Sequence, residues 1–272
     1  MAWLSDNLRS VACQTYPHIE HVVMDGGSTD GSVEILEAAG DSVIWRSESD
    51  EGQSHAINKA FQVSSGEIIG WINSDDAYFD CRVIEDVVAY FEAHPATDVV
   101  YGHCAQTTAD GMMIQILWAA PFSGELLRTV DIISQPGVFI RRRVLSDPML
   151  DESFHFTMDY ELWLRLEAAG ARFARIPRIV AIDRHQSERK SSTILDVHAA
   201  DMKRLAERYD MRFGPEWERA RTLFYLQQRI SGALLIPKAR PPLAFTHPPD
   251  FKRGLLRRQL LTRRSRWAEE YR

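Results

Sequence analysis

Two short apolar runs of this chain each end abruptly in an acidic turn, and this arrangement constrains the fold more than any other feature. The run His21–Met24 stops at Asp25, and the run Ile68–Ile72 stops at Asn73-Ser74-Asp75-Asp76. Strand-like and helix-like patterns alternate over roughly the first 200 residues, as in βαβ units. In open α/β sheets, ligands bind beyond the carboxyl ends of the strands. The pattern therefore predicts an α/β fold and indicates that the two acidic turns belong to a site.

Composition and cysteine content narrow the class of protein. The chain has 272 residues, of which 45% are hydrophobic and 26% charged, which excludes collagen-like, disordered and disulfide-stapled classes. Three cysteines, Cys13, Cys81 and Cys104, are too few and too scattered for a disulfide framework or a zinc site. We expect them to be buried small hydrophobes in a reducing compartment. No apolar run reaches the ~18 residues of a membrane span, and Met1–Arg9 has no signal-peptide pattern, so a cytoplasmic location is predicted.

Charge and proline divide the chain. Residues 229–272 hold 11 Lys and Arg against 3 Asp and Glu, whereas the rest of the chain is acidic. Five prolines lie between Pro237 and Pro249, which is typical of a linker. We predict a catalytic domain over residues 1–195, a helical extension over 196–236, and a linker with a basic amphipathic tail over 237–272.

The basic tail allows two interpretations. It is either a solvated C-terminus or an attachment to the inner, anionic face of the cell membrane. Nucleic acid is disfavoured as a partner, because the acidic body would repel a phosphate backbone. The apolar residues of the tail that support the membrane interpretation are Leu255, Leu256, Leu260, Leu261 and Trp267.

The first acidic turn runs from Asp25 to Gly31 through Gly-Gly-Ser-Thr-Asp. It is either ordinary turn chemistry with a helix N-cap, or a nucleotide pocket in which the Asp25 carboxylate accepts hydrogen bonds from a base or ribose. The turn is neither a G-x-G-x-x-G nor a Walker loop, which disfavours NAD and P-loop chemistry.

The second acidic turn is more specific. Adjacent carboxylates at a buried strand end, as at Asp75 and Asp76, repel each other unless a cation or a hydrogen-bond donor compensates them. A hard divalent ion that bridges a carboxylate and a diphosphate would do so. The alternative is an Asx-turn that leads into an N-cap.

Two further residues are candidates for chemistry. Asp159 lies in the first turn of a predicted helix over Met158–Ala169, where it is either a general base or a partner of the helix dipole. His185 follows an extended run, and as a metal ligand it makes sense only beside Asp76. The chain holds no G-x-S-x-G, H-E-x-x-H or C-x-x-C motif.

Five blocks occur in order along the chain: QTYPHIEH with the following VVMDGGSTDGS, SDEGQSHAINK, SGEIIGWINSDD, QPGVFIRR and MDYELWLRL. Their combination resembles the family 2 glycosyltransferases with the GT-A fold over roughly residues 8 to 190. The resemblance implies a GT-A-like (Rossmann-like) fold: a mixed, mostly parallel sheet flanked by helices, with a helical C-terminal extension. It also implies an inverting transfer from a nucleotide-diphosphate sugar to the hydroxyl of a glycan or lipid-linked acceptor, in polysaccharide or glycolipid assembly.

The resemblance also implies roles for individual residues. Asp159 would be the catalytic base, and a Mg²⁺ or Mn²⁺ ion would lie at Asp76, with His185 as a further metal or diphosphate contact. Residues implied at the donor are Asp25, Asp50, Asn58 and Asp75, and those on the acceptor side are Gln135 and Trp163.

Three departures from the family pattern leave a second hypothesis open. The chain starts at about the helix that follows the family's first strand, so that strand is missing; Gly26 removes one of two paired acids; and Met158 replaces an acid before Asp159. A truncated, non-catalytic relative that serves as a binding or scaffold module is therefore the alternative. A sugar nucleotidyltransferase has less support, because no Gly-rich basic phosphate loop opens the chain. A processive polymer synthase is disfavoured, since the chain holds no Q-x-x-R-W run and no membrane span.

Overall fold

The computed structural model describes residues 3–109, 111–185 and 195–235. The helices are α1 (Leu4–Ala12), α2 (Ser32–Ala39), α3 (Gln53–Val63), α4 (Val83–Ala93), α5 (Gly124–Leu127), α6 (Met158–Ala168), α7 (Leu195–Arg208) and α8 (Pro215–Leu235). The strands are β1 (Val22–Asp25), β2 (Ile44–Ser47), β3 (Ile68–Gly70), β4 (Ala77–Tyr78), β5 (Val99–Thr108), β6 (Met113–Leu117), β7 (Val138–Arg141) and β8 (Phe173–His185).

The strands form two sheets. The larger sheet has the order β3-β7-β5-β8-β4, with β6 paired to β5, and the smaller contains β1 and β2. The predicted mixed α/β sheet is confirmed. Among the described strands, only two pairings are parallel: β1–β2 in the smaller sheet and β5–β8 in the larger. The predicted excess of parallel pairing is therefore not seen there, because β6 returns beside β5 in an antiparallel hairpin and the short β3, β4 and β7 pair antiparallel.

The two sheets are separated by a cleft. Among the described residues, β1 pairs only with β2 and β3 pairs only with β7. Val22–Met24 and Ile68–Ile72 both line the cleft. No strand of the described chain lies between them.

Helical elements begin where the sequence places helix signals. Gly31 precedes α2 with a φ of 91°, a conformation that residues with a Cβ rarely adopt. The apolar spacing of the sequence predicts helices over Ser32–Ala39 and Gln53–Val63, and α2 and α3 have these bounds. The sequence also predicts a short strand over Val99–Tyr101, but β5 is far longer, and β6 lies in a segment without a clear pattern.

The C-terminal helices pack on the same core as the sheet. Leu205 of α7 and Phe224 of α8 are buried in one hydrophobic cluster with Leu162 and Trp163 of α6. The predicted helical character of the extension is thus confirmed, whereas the predicted boundary at residue 195 stays a prediction. The tail over 237–272 lies outside the described residues.

The expectation for two of the cysteines is wrong. Cys13, which follows α1, and Cys81, which precedes α4, form a disulfide across 68 residues of sequence. Their Cα atoms are 5.1 Å apart, since the two segments meet at one edge of the fold in a way that sequence spacing does not reveal. Cys104 is a buried free cysteine, as expected. None of the described helices is long and apolar enough to cross a membrane.

Candidate functional site

The cleft between the two sheets, of about 1540 Å³, gathers most of the predicted site residues. Six aspartates line it: Asp50, Asp75, Asp76, Asp131, Asp159 and Asp183. Arg141 is the one arginine on its described wall, and that guanidinium donates to the carbonyl oxygens of Phe91 and Thr97. Gathered carboxylates repel one another unless cations or protons compensate them. The cleft is therefore suited to a cation together with a ligand rich in hydroxyl donors.

Asn73 is the centre of a hydrogen-bond network at the start of the second acidic turn. Its Oδ1 accepts from Gln53 Nε2 at 2.7 Å and from Trp71 Nε1 at 3.1 Å, and its Nδ2 donates to Gln135 Oε1 at 3.1 Å. Gln135 in turn donates to the carbonyl oxygen of Trp71. The network fixes Gln135, a predicted acceptor residue, on the cleft wall beside the acidic turn.

The backbone of the acidic turn is held from both sides. The buried Asn7 of α1 donates through Nδ2 to the carbonyl oxygens of Asn73 at 2.8 Å and Asp76 at 3.1 Å. Arg184 of β8, also buried, donates through Nε to the carbonyl oxygen of Asp75 at 3.1 Å. Because these contacts are made to backbone oxygens, they fix the path of the turn and do not involve the carboxylate groups of Asp75 and Asp76.

A second buried carboxylate, that of Asp183, lies near Asp76. Ala77 pairs with Ile182 in antiparallel register, and the two aspartates adjoin this pair and line the cleft. Both aspartates are buried, and burial together with their charges raises the pKa of the Cys104 thiol. The two carboxylates therefore lie on the same part of the cleft wall.

Asp159 also has a carboxylate neighbour. Burial and the negative charge of Asp159 raise the pKa of Asp131 well above its ordinary value, although the Ile133 amide donates to Asp131 Oδ1 at 3.0 Å and acts in the opposite sense. Asp159 Oδ1 accepts from the Tyr160 amide at 2.8 Å. This arrangement favours a protonated Asp131 in the native state, which leaves one negative charge fewer beside Asp159.

The start of α6, which presents Asp159, is held by a buried aspartate of α7. Asp201 Oδ2 accepts from the backbone amides of His155 at 3.1 Å, Phe156 at 2.8 Å and Thr157 at 3.2 Å. A carboxylate that accepts hydrogen bonds from three backbone amides holds the segment firmly, because hydrogen bonds to an ionised group are stronger than neutral ones. The C-terminal extension thus contributes directly to the geometry of the site.

Asp25 of the first acidic turn does not line the cleft, whereas Asp50, which follows β2, does. Asp25 Oδ2 accepts from the Gly27 and Ser28 amides and from Ser47 Oγ. Partial burial acts to raise the pKa of Asp25, but these hydrogen bonds outweigh it and hold the pKa below its ordinary value. Asp50 Oδ1 accepts from the Gly52 amide at 2.9 Å, and Asp50 lines the cleft.

Besides Asp25, three predicted residues do not line the cleft. Asn58 is buried and clamps Leu150, accepting from its amide at 2.8 Å and donating to its carbonyl oxygen at 3.0 Å. Trp163 is fully buried in the core beneath the cleft. His185 is exposed at the end of β8, two residues beyond Asp183.

Two of the residues that the sequence interpretation missed share one signal. Asn7 and Asp201 are polar residues on the apolar faces of α1 and α7, beside Leu8 and Leu205 respectively. Such positions are costly unless the polar group is satisfied. Asp183 lies in the same run as His185, and Asp131 has no motif that marks it.

The described residues contain no group of three or more His, Cys, Asp or Glu that could hold a metal ion by themselves. The Asp76–Asp183 pair supplies two carboxylates. Mg²⁺ is commonly held through one or two carboxylates together with substrate phosphates. The donor set therefore fits an ion shared with a phosphate ligand.

Comparison with known sequences gives a consistent family. The model of the family described as Glycosyl transferase family 2 matches residues 2–158, more than half of the chain. The chain is 24% identical over 194 residues to a protein named PGL/p-HBAD biosynthesis glycosyltransferase from Mycobacterium bovis (strain BCG / Pasteur 1173P2). The match covers 70% of this chain and 74% of that protein.

Solved structures share the fold. S. aureus TarS 1-349 in complex with UDP-GlcNAc superposes with a TM-score of 0.59 at 17% identity, over 88% of this chain and 72% of that one. The mannosyltransferase PcManGT from Pyrobaculum calidifontis, in complex with GDP-Man and Mn²⁺, gives a TM-score of 0.54 at 18% identity, over 87% of this chain and 71% of that chain. Against another TarS 1-349 structure the chain spans 56% of that length.

Proposed function

Because the chain belongs to glycosyl transferase family 2, we propose that it transfers a sugar from a nucleotide-diphosphate sugar to an acceptor hydroxyl with inversion. The observation that carries this proposal is the cleft itself, where the acidic turn and the start of α6 face each other. A glycan or lipid-linked acceptor in envelope polysaccharide or glycolipid assembly is part of the proposal.

Asp159 is the proposed catalytic base. It would remove the proton from the acceptor hydroxyl as the oxygen attacks the anomeric carbon, and its ionised state is favoured when Asp131 holds a proton. Asp201 supports this role by fixing the loop before α6. Gln135, held by Asn73, is proposed to border the acceptor, and Trp163 would act there only through packing beneath the cleft.

The donor is proposed to lie along the acidic turns. Asp50 and Asp75 are placed on the cleft wall, where a carboxylate can accept hydrogen bonds from ribose or base hydroxyl and amine groups. Asp25 would act by shaping its turn, and Asn58 by clamping the segment at Leu150. The TarS structure with UDP-GlcNAc and the PcManGT structure with GDP-Man support a nucleotide-sugar donor.

Asp76 is proposed to hold Mg²⁺ or Mn²⁺, with Asp183 as the added candidate and His185 as the ligand that the sequence favours. The Mn²⁺ in the PcManGT structure supports a metal. When bound, the ion would neutralise negative charge on the departing diphosphate. Asp76 and Asp183 would then be compensated without a change in fold.

A cytoplasmic location, peripheral on the inner face of the membrane, is proposed together with this activity. It rests on the basic composition of residues 237–272.

The test is a screen of UDP- and GDP-sugars for binding and hydrolysis, with and without Mn²⁺. We expect one donor to be hydrolysed slowly in a Mn²⁺-dependent manner, and Asp159→Asn to bind it normally while losing turnover onto an acceptor. The exposed Asp41→Asn is the matched control. Neither binding nor hydrolysis of any donor would contradict the proposal.

The open cleft favours one alternative. Since β1 and β3 both present edges to the cleft without a described strand between them, the chain is alternatively a non-catalytic relative that binds nucleotide sugars as a binding or scaffold module. Tight binding without hydrolysis or transfer, unchanged in Asp159→Asn, would favour this second function.

A further inference from the structure

Four large apolar side chains of α8 point away from the protein. They are Leu223 (65% exposed), Leu226 (54%), Ile230 (56%) and Leu234 (72%). Their spacing of three, seven and eleven residues from the first places them within roughly 80° of arc at 100° per residue. We refer to these four residues as the α8 stripe.

The opposite face of α8 is fixed to the protein body. Phe224 is buried, and Gln228 Oε1 accepts from the Trp118 amide at 2.7 Å. Gly232 lies so close to β6 that an added Cβ would come within 2.3 Å of the Ile116 carbonyl oxygen. Because these contacts set the rotation of the helix, the α8 stripe has a fixed outward orientation.

From Arg219 to Pro249, a range that includes the α8 stripe, every charged side chain is basic. The acidic residues of α8, Glu216 and Glu218, lie in its first turn, and no Asp or Glu occurs between Glu218 and Asp250, whereas Arg219, Arg221 and Arg229 also belong to the helix. Residues 236–272, which continue from the end of α8, hold 10 Lys and Arg against 3 Asp and Glu in a chain whose net charge is −6. Along the sequence, the basic residues are therefore concentrated in α8 and in the residues that follow it.

We propose that the α8 stripe is a lipid-contact surface that inserts its leucine and isoleucine side chains into the interface of an anionic membrane. An apolar helix face within a stretch whose charged residues are all basic has the chemistry that binds an anionic lipid interface. A second copy of the chain fits less well, since a two-fold contact between α8 helices would bring their arginines together. The inference is independent of the proposed transfer reaction.

The test is co-sedimentation of the full chain with vesicles of phosphatidylcholine mixed with phosphatidylglycerol, and with vesicles of phosphatidylcholine alone. We expect the wild type to sediment with the anionic vesicles, and L226Q/I230Q to partition about tenfold less, because two apolar side chains no longer insert. The matched control is I44Q/V63Q, which removes exposed apolar groups from β2 and α3 and should leave partitioning unchanged.

Two outcomes would overturn the proposal. Equal sedimentation of wild type and L226Q/I230Q would assign lipid binding to the basic C-terminal residues alone. A self-associating wild type that does not sediment with vesicles, and that becomes monomeric in L226Q/I230Q by analytical ultracentrifugation, would assign the α8 stripe to a second copy. Circular dichroism checks that both variants keep the wild-type helix content.

Discussion

Asp201 Oδ2 accepts a 2.8 Å hydrogen bond from the backbone amide of Phe156, which joins α7 to the loop that leads into α6. The same oxygen accepts from the two flanking amides. The C-terminal extension therefore fixes the position of the first turn of α6, which carries Asp159. Asp201, 42 positions from Asp159 in sequence, thus belongs to the site.

We predict that Asp201→Asn lowers both stability and turnover. The amide side chain keeps the size but loses the charge that strengthens the three hydrogen bonds, which should cost about 1.5–3 kcal/mol of unfolding free energy. Because the loop before α6 would loosen, kcat should fall more than KM rises. Urea unfolding and donor hydrolysis measure the two effects.

The exposed Asp196→Asn on the same helix is the control for Asp201→Asn. It removes the same charge and should leave both quantities within experimental error. If the two variants behave alike, the anchoring role of Asp201 is wrong.

We predict that Asp159→Asn reduces transfer by about 10²–10⁴-fold, the usual contribution of a general base, while donor binding changes little. Asp131→Asn should reduce it less, since the amide still presents a neutral hydrogen-bonding group next to Asp159. Single-turnover transfer and donor titration separate the two effects. An Asp131→Asn variant as inactive as Asp159→Asn would contradict the assignment of the base.

The raised pKa of Asp131 also predicts a pH dependence of stability. The native state keeps the Asp131 proton at pH values where the unfolded chain has lost it, so stability falls as pH rises from the ordinary aspartate range toward the native pKa. Asp131→Asn should remove this fall. Asp159→Asn should reduce it, because the charge of Asp159 is one of its causes. Unfolding free energies across pH test both.

Much of the site could be predicted because local chemistry fixes it. The abrupt end of the apolar run Ile68–Ile72 in an acidic turn required no tertiary information, and it led to Asp75 and Asp76 on the cleft wall. The helix start at Met158 led to Asp159, and the family resemblance added Asp50, both of which line the same cleft. Helices α2 and α3 were predicted from apolar periodicity and glycine boundaries alone.

The remaining parts depend on contacts that sequence spacing does not encode. Asp183 becomes a site candidate only through the register of β4 on β8, and Asn58 turns inward because Leu150 lies across it. The Cys13–Cys81 pair likewise joins segments brought together by packing. Strand register and long-range pairing are tertiary properties. The motifs therefore indicated where the cleft lies but not all of the residues that form it.

We predict that the metal proposed at Asp76 is supported by Asp183 more than by His185. Asp183→Asn should weaken Mn²⁺ binding in the presence of UDP by about 10–100-fold, the range for ligands and their direct partners. The exposed His185→Asn should have a smaller effect. Calorimetric titration of Mn²⁺ with and without UDP measures this, and the reverse order would restore the sequence-based ligand set.

We predict that the Cys13–Cys81 disulfide stabilises the fold. Closing a loop across 68 residues should contribute about 4 kcal/mol by the chain-entropy relation. A Cys13→Ser/Cys81→Ser variant should unfold at correspondingly lower urea concentration, whereas Cys104→Ser should not. Thiol titration of the unfolded oxidised protein should find a single free cysteine, Cys104. Three free thiols would show that the pair is reduced.

The last prediction concerns acid stability. His103 is buried in β5, and its Nδ1 accepts from the Ala119 amide at 2.9 Å, so the neutral ring is required. Burial, aided by the charge of Arg175, lowers the pKa of His103 to about 4. The unfolded chain then binds a proton that the native state excludes, and stability is lost as pH falls from about 6.5 toward about 4.

The His103→Gln side chain can still accept the hydrogen bond from the Ala119 amide without titrating, and it should lessen this loss of stability in acid by on the order of 2 kcal/mol. The exposed His94→Gln should leave the profile unchanged. Denaturant unfolding at several pH values tests this prediction. If the loss of stability at low pH is unchanged in His103→Gln, groups other than His103 cause it.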